Sequence, residues 1–176
     1  PDSSTWAFEQ GLKLLPDNKT LLENAAWSCG REVKKGDIKK LDKQLHFLDR
    51  LLEINPTDVS ALERMNNAYK ANKMYEEQIV VLDEWLKIDP TNKKAITNKK
   101  SAFENLGKDV SEVDKERWNR EPGNLQYGIS YLKSLKDNEN YDLGIEVAEE
   151  ILLYHSNDKR LLKIVSDIYI ENLDDK

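Results

Sequence analysis

Two histidines, His46 and His155, and one cysteine, Cys29, are the side chains best suited to nucleophilic or proton-transfer chemistry. A nucleophile of that kind needs a base within hydrogen-bond reach. The two histidines are far apart in sequence, and each falls in a helical pattern. His46 sits between Leu45 and Phe47, which suits a surface or half-buried packing role. Cys29 follows Ala25, Ala26 and Trp27, and reads as a small buried residue. Gly107-Lys108 lacks the upstream glycine and the following Ser/Thr of a phosphate-binding loop. Neither His-Glu-x-x-His nor Cys-x-x-Cys occurs. The run Asp137-Asn138-Glu139-Asn140 lacks the glycine and closing Glu of a calcium loop and reads as a solvated turn. Carboxylates are plentiful, but on helices they read as solvent-facing partners of lysines. The expectation is a non-catalytic chain without cofactor or metal.

The elements that would position any functional side chain come next. The 176 residues are enough for one domain with its own core. Charged residues make up 34% of the chain and its net charge is −6, which argues against generic attraction to nucleic acid or anionic membrane. A local basic groove stays compatible with that balance. The single cysteine cannot form an intrachain bridge and fits a reducing compartment such as the cytoplasm. Asn18-Lys19-Thr20 spells a glycosylation acceptor, which chance explains in a chain so rich in these residues. No apolar stretch approaches the ~20 residues of a membrane helix, so no membrane insertion is expected. The first residues, Pro1-Asp2-Ser3, carry no initiator Met and no signal-peptide pattern, as a processed or excised chain would.

A period organises the sequence. Five turns share a Pro-Asx or related signature: Pro16-Asp17-Asn18, Asn55-Pro56-Thr57-Asp58, Asp89-Pro90-Thr91-Asn92, Glu121-Pro122-Gly123-Asn124 and His155-Ser156-Asn157-Asp158. Their spacings are 40, 34, 32 and 34. Proline ends the preceding helix, and the Asn or Asp that follows can cap the next. Between turns, apolar residues recur at three and four positions, as in Leu62, Met65, Ala68 and Tyr69, or Ile79, Leu82, Leu86 and Ile88 with Trp85 beside them. That is the period of an amphipathic helix. Each unit breaks once more in its middle, at Lys35-Gly36-Asp37, Asn72-Lys73-Met74, Leu106-Gly107-Lys108 and Asp137-Asn138-Glu139-Asn140. Each unit is therefore two helices, and stacked neighbours bury what one hairpin cannot. Period and turns alone leave other helical-hairpin arrays open.

The segment Val59 to Asn92 resembles the tetratricopeptide repeat. It carries Leu62, Met65, Ala68, Tyr69, then Tyr75-Glu76-Glu77, and closes Leu86-Lys87-Ile88-Asp89-Pro90-Thr91-Asn92. Asn66, Gln78 and Trp85 stand where the family prefers small residues, which suggests wider or tilted helix pairing there. The resemblance implies an all-α, right-handed superhelical solenoid of antiparallel helix–turn–helix repeats. Residues 1–18 would be a half repeat, 19–58 and 59–92 full repeats, 93–124 a degenerate repeat, 125–158 a full repeat and 159–176 a lone first helix. The stretch 110–120 matches worst. The lone helix carries Leu162, Val165, Ser166, Ile168 and Tyr169. Starting and ending in mid-repeat, the chain reads as part of a longer array. Trp6, Trp27 and Trp85 fall in apolar-periodic runs and read as core, whereas Trp118 suits either an exposed anchor or packing.

In this family the first helix of each unit lines a concave groove. The resemblance places Glu63, Asn67 and Lys70 there, then Lys94, Thr97, Asn98 and Ser101, then Gln126, Ile129, Lys133 and Lys136, and finally Arg160, Lys163 and Asp167. Lysines predominate, so the implied partner is a peptide or protein carrying acidic residues. A chaperone-tail clamp is incomplete: Asn67 would serve, but Ala26 and Gly30 precede it, and Lys94 is followed by Asn98 where the clamp needs Arg. The first functional expectation is a protein-binding scaffold or adaptor. The second is an assembly or homo-oligomerisation module working through Trp6, Phe8 or the 159–176 helix. A third is a regulatory domain attached to an enzyme elsewhere.

Overall fold

A computed structural model describes residues 3–174, which form ten α-helices and one short 3₁₀ turn. Two compact units divide the chain, with the boundary between Asn105 and Leu106. The first holds α1 (Ser3–Leu14), α2 (Lys19–Lys34), the 3₁₀ turn (Ile38–Lys40), α3 (Leu41–Ile54), α4 (Val59–Ala71), α5 (Tyr75–Ile88) and α6 (Lys93–Asn105). The second holds α7 (Ser111–Arg120), α8 (Leu125–Asp137), α9 (Tyr141–His155) and α10 (Lys159–Asp174). Within each unit every helix packs on the next in the chain, and in the second unit α10 also touches α8. No strand occurs among the described residues.

The helix starts are fixed by one repeated device. Asn18 Oδ1 accepts the Leu21 N–H at 3.0 Å, Asp58 Oδ1 that of Ala61 at 3.1 Å, and Asn92 Oδ1 that of Ala95 at 3.1 Å. Asn124 Oδ1 accepts Gln126 at 3.1 Å and Tyr127 at 3.3 Å, and Asp158 Oδ1 accepts Arg160 at 2.9 Å and Leu161 at 3.1 Å. Each bond satisfies a backbone N–H that the helix itself leaves unpaired, and is worth about 0.5–2 kcal/mol. The turns that follow α2, α4, α6 and α8 use a second device. Gly36, Lys73, Gly107 and Glu139 all sit in the left-handed region, at φ 103°, 59°, 65° and 58°. At Lys73 the reversal is closed by its N–H on Lys70 O at 3.2 Å and by Met74 N–H on Tyr69 O at 3.0 Å. Glycine adopts this backbone freely, but a lysine or glutamate is strained in it.

Each unit has its own core. Leu22, Leu48, Leu62, Leu82 and Trp85 anchor the first, and Trp118, Leu132, Leu135, Ile151, Leu161 and Ile168 the second. Each such side chain contributes about 1.5–3 kcal/mol on burial. Asn66, Gln78 and Trp85, the bulky departures from the repeat pattern, are all buried. Gln78 donates to Asn66 Oδ1 at 2.9 Å, so the two amides answer each other between α4 and α5.

Several expected placements are corrected. Trp6 and Trp27 are each 57% exposed, not core. On α2 the buried residues are Leu22, Ala25, Ala26, Ser28 and Cys29, and Trp27 stands nearly opposite the centre of that stripe. On α10 the buried stripe is Leu161, Ile164, Val165 and Ile168, while Leu162, Ser166 and Tyr169 face out. Ile88 is exposed and Ile79 half-buried, their place taken by Val81 and Trp85. Trp118 is buried, which decides for packing over an exposed anchor. The polar helix α7 is held by charge. Its buried Asp114 accepts from Ser134 Oγ and pairs with Arg117 at 3.3 Å, and that guanidinium lies 4.3 Å from the Tyr127 ring centroid.

Two measurements check these devices. Lys73→Gly should raise stability by about 1 kcal/mol, because it relieves a left-handed backbone whose cost in an L-residue is of that order. An unchanged or lowered urea midpoint would refute the strain. Asp58 tests the caps through pH. Burial pushes its carboxyl up, but the Lys19 ammonium at 2.9 Å and the Ala61 N–H outweigh burial and hold it below its ordinary 3.8. A carboxyl lowered in the folded state stabilises above its unfolded value, and that contribution is lost as pH falls from there through the lowered value. Urea midpoints between about pH 7 and 2.5 should therefore fall less steeply in Asp58→Asn, which keeps the capping oxygen without the charge.

Candidate functional site

The second unit brings together every groove residue expected on it. Gln126, Ile129, Lys133 and Lys136 share one face of α8, spaced three, four and three apart. Arg160, Lys163 and Asp167 share one face of α10, spaced three and four apart. With Asp137 and Ile164 they line one groove of about 520 Å³. Ile129 is buried at 5% exposure and forms floor with Ile164, so it offers apolar contact rather than a polar group. The walls carry four cations and two carboxylates, a local surplus of positive charge in a chain of net charge −6.

Those cations are not equivalent. Lys136 reaches Glu171 at 3.1 Å and Asp167 at 3.7 Å, and the Glu171 bond holds its ammonium above the ordinary 10.5. Arg160 folds back on Asp158, the cap of its own helix, at 3.1 Å. The side chains of Lys133 and Lys163 make no hydrogen bond or ion pair with any described residue and line the groove with two unneutralised charges. Salt and solvent screen exposed charges, but two together over an apolar floor still attract an anion.

The first unit treats its expected residues differently. Glu63 on α4 pairs with Lys94 on α6, and Lys70 on α4 donates to Asn98 on α6 at 3.0 Å. Asn67 accepts from Asn66 at 3.2 Å. Thr97 is exposed and Ser101 half-buried on α6. The charges here close on one another and tie α4 to α6. Asn67 also lines a second pocket, of about 230 Å³, formed by α2, α3 and α4. Its α2 wall is Ala26, Trp27, Gly30, Arg31, Val33 and Lys34, none of them among the groove residues that the family resemblance implies. The resemblance marks Ala26 and Gly30 only as missing clamp residues, and the apolar period marks Trp27 as core. The readable signal was the phase of Trp27 against the Leu22–Cys29 stripe.

The candidate chemical groups lie outside both grooves. Burial pushes the Cys29 thiol above its ordinary 9.0, although the Thr5 hydroxyl bonds it, so it is a poor nucleophile. His46 is exposed and lies against Phe47. His155 bonds the Gly123 carbonyl through Nε2. Among the described residues no cluster of His, Cys, Asp or Glu suits a metal ion, and no helix is long and apolar enough to cross a membrane. Asn18 of the glycosylation sequon spends its side-chain oxygen on the α2 cap.

No protein-family profile and no curated protein sequence matches this chain. Solved structures do. A tetratricopeptide repeat protein from Parabacteroides merdae aligns over 96% of this chain and 66% of its own, at 16% identity and a TM-score of 0.53. MamA aligns over 86% of each chain, at 14% identity and a TM-score of 0.51. Likeness at such low identity is likeness of fold, and it agrees with the capped hairpins and the absence of strands among the described residues: this chain has the all-α helical-hairpin fold of tetratricopeptide-repeat proteins.

Proposed function

We propose that this chain is a non-catalytic scaffold that holds an acidic peptide, or an acidic segment of a partner protein, in the α8–α10 groove. The observation that carries it is the pair Lys133 and Lys163, unneutralised over a floor of Ile129 and Ile164. A carboxylate entering there gains charge-assisted hydrogen bonds without displacing any internal partner. The apolar floor supplies contact area that a solvated charged surface lacks. The repeats behind it would run 19–58, 59–92, 93–124 and 125–158, flanked by half units at 1–18 and 159–176.

A second reading, an assembly module, draws support from the outer face of α10. Leu162, Tyr169, Ile170 and Leu173 are 44%, 40%, 55% and 74% exposed there. Burial against a copy of the chain or a larger complex would remove that area from water.

The groove reading is tested by charge reversal, with a fluorescent, terminally blocked hexaglutamate as probe. Lys133→Glu with Lys163→Glu should weaken binding by about ten-fold or more, ~1.4 kcal/mol. Lys94→Glu should change it by less than about two-fold, because that ammonium is already taken by Glu63. Equal binding by the double variant and the wild type would end the groove reading. Sedimentation of Ile170→Glu with Leu173→Glu checks the assembly reading: a concentration-dependent dimer that this variant abolishes supports it, and a strict monomer in both removes it.

A further inference from the structure

The pocket on α2, α3 and α4 has features that the folding of the first unit does not need. Trp27 is 57% exposed, so most of its indole lies outside the core. The Arg31 guanidinium stacks over that ring, 4.9 Å from its centroid, which holds a cation flat at the pocket mouth. Ala26, Ala68 and Ala71 leave the interior open where larger side chains would fill it, while the Gln44 amide closes over Gly30, 2.7 Å from where a Cβ there would lie. The fully buried Leu48 forms part of the base. At about 230 Å³ the space is smaller than the ~300–1,000 Å³ of a small-molecule site and matches one inserted side chain.

The charges around it are of one sign. Arg31, Lys34 and Arg64 line the pocket and no carboxylate does. None of the three forms an ion pair with a described residue, and Arg64 reaches only the Glu23 backbone oxygen, at 3.5 Å. Three unpaired cations grouped around an apolar hole, in a chain with six more acidic than basic groups, form a selective feature. Tryptophan and arginine are also the residues that most often carry interface energy.

We propose that this pocket anchors one large apolar side chain, aromatic by preference, of a peptide segment whose neighbouring residues are acidic. The ring enters between Trp27 and the alanines, and its flanking carboxylates meet Arg31, Lys34 and Arg64. The proposal extends the preceding reading to a second place in the chain and rests on it only in taking the partner to be a peptide. A nucleic acid would offer bases to Trp27 and phosphates to the same cations, but a hole of about 230 Å³ admits a single side chain and not the run of stacked bases by which such strands are held.

The test is an NMR titration of the whole ¹⁵N-labelled chain, reading the Trp27 indole N–H, assigned by its loss in Trp27→Phe. The probes are terminally blocked Glu-Glu-Phe-Glu-Glu, its Phe-to-Ala counterpart, Lys-Lys-Phe-Lys-Lys and a short oligothymidylate. The acidic Phe peptide should shift the Trp27 signal, with the Ala peptide about ten-fold weaker or more and the Lys peptide inert. Ala71→Leu, at an exposed lining position, should fill the mouth and weaken the Phe peptide by about ten-fold while the remaining spectrum stays folded. Lys133→Glu with Lys163→Glu should leave the Trp27 response unchanged. Equal affinity for the Phe and Ala peptides, or tighter binding of the oligothymidylate, overturns the proposal. A silent Trp27 with shifting Lys133 and Lys163 amides overturns it and leaves the α8–α10 reading standing, whereas silence at both places removes the two together.

Discussion

A helix that starts at the wrong residue turns its apolar face away from its neighbour by 100° for every position of error. In an array of hairpins that error would pass from each helix to the next. Five Asx side chains prevent it. Asn18, Asp58, Asn92, Asn124 and Asp158 each accept a backbone N–H two or three residues on, and so set the first turn of α2, α4, α6, α8 and α10. The left-handed residues Gly36, Lys73, Gly107 and Glu139 do the complementary work at the other end of four of those helices, α2, α4, α6 and α8. With both ends pinned, the i, i+3, i+4 pattern becomes a spatial statement. Leu62 and Met65 point inward because Asp58 begins α4 where it does. The groove row Gln126, Ile129, Lys133 and Lys136 lies on one face because Asn124 begins α8 where it does.

That dependence explains what the sequence discloses. Caps and turns are local, encoded in three or four adjacent residues, so hairpins and an all-α array are legible without any structure. The phase of a stripe is less so. Leu161 and Leu162 are adjacent leucines, and only packing of α10 on α8 and α9 decides that Leu161 is buried and Leu162 is not. The same ambiguity misplaced Trp27, whose neighbours Ala25, Ala26 and Cys29 satisfy the core with little volume and leave the indole outside. Helix α7 fails the apolar pattern for a different reason. Its inward position is taken by Asp114, whose partners Ser134 and Arg117 make burial tolerable, and a bond to Ser134 across 20 residues has no signature in a periodic reading.

The candidate grooves show the same division between position and state. Spacing places Glu63, Lys70, Lys94 and Asn98 on facing helices as readily as it places Lys133 and Lys163. It does not reveal that the first four satisfy each other while the last two satisfy nothing among the described residues. A count of lysines treats both sets alike, although a cation already bound to a carboxylate must lose that partner before it can take another. For an exposed pair the internal bond is worth only about 0–1 kcal/mol. Even so, it cancels the local field that would draw an anion in.

Selectivity in an acidic chain therefore rests on which charges the fold leaves unpaired, more than on how many it carries. Thirty-three carboxylates outnumber twenty-seven lysines and arginines. Where acids and bases share a helix face they pair at three or four residues, as Glu32 and Lys35 or Glu84 and Lys87 do, and the surface becomes electrically bland. Positive character survives only where geometry separates a cation from every acid. On α2 that happens because Trp27 holds Arg31 over its ring, and Glu32, the next residue, faces another way and binds Lys35. On α8 and α10 it happens because Lys136 gathers both Asp167 and Glu171, while Asp137, the other carboxylate of the groove, pairs with neither Lys133 nor Lys163. Lys136, which pairs with two acids, thus keeps Asp167 and Glu171 from its neighbours, and its removal would release both carboxylates to compete for Lys133 and Lys163.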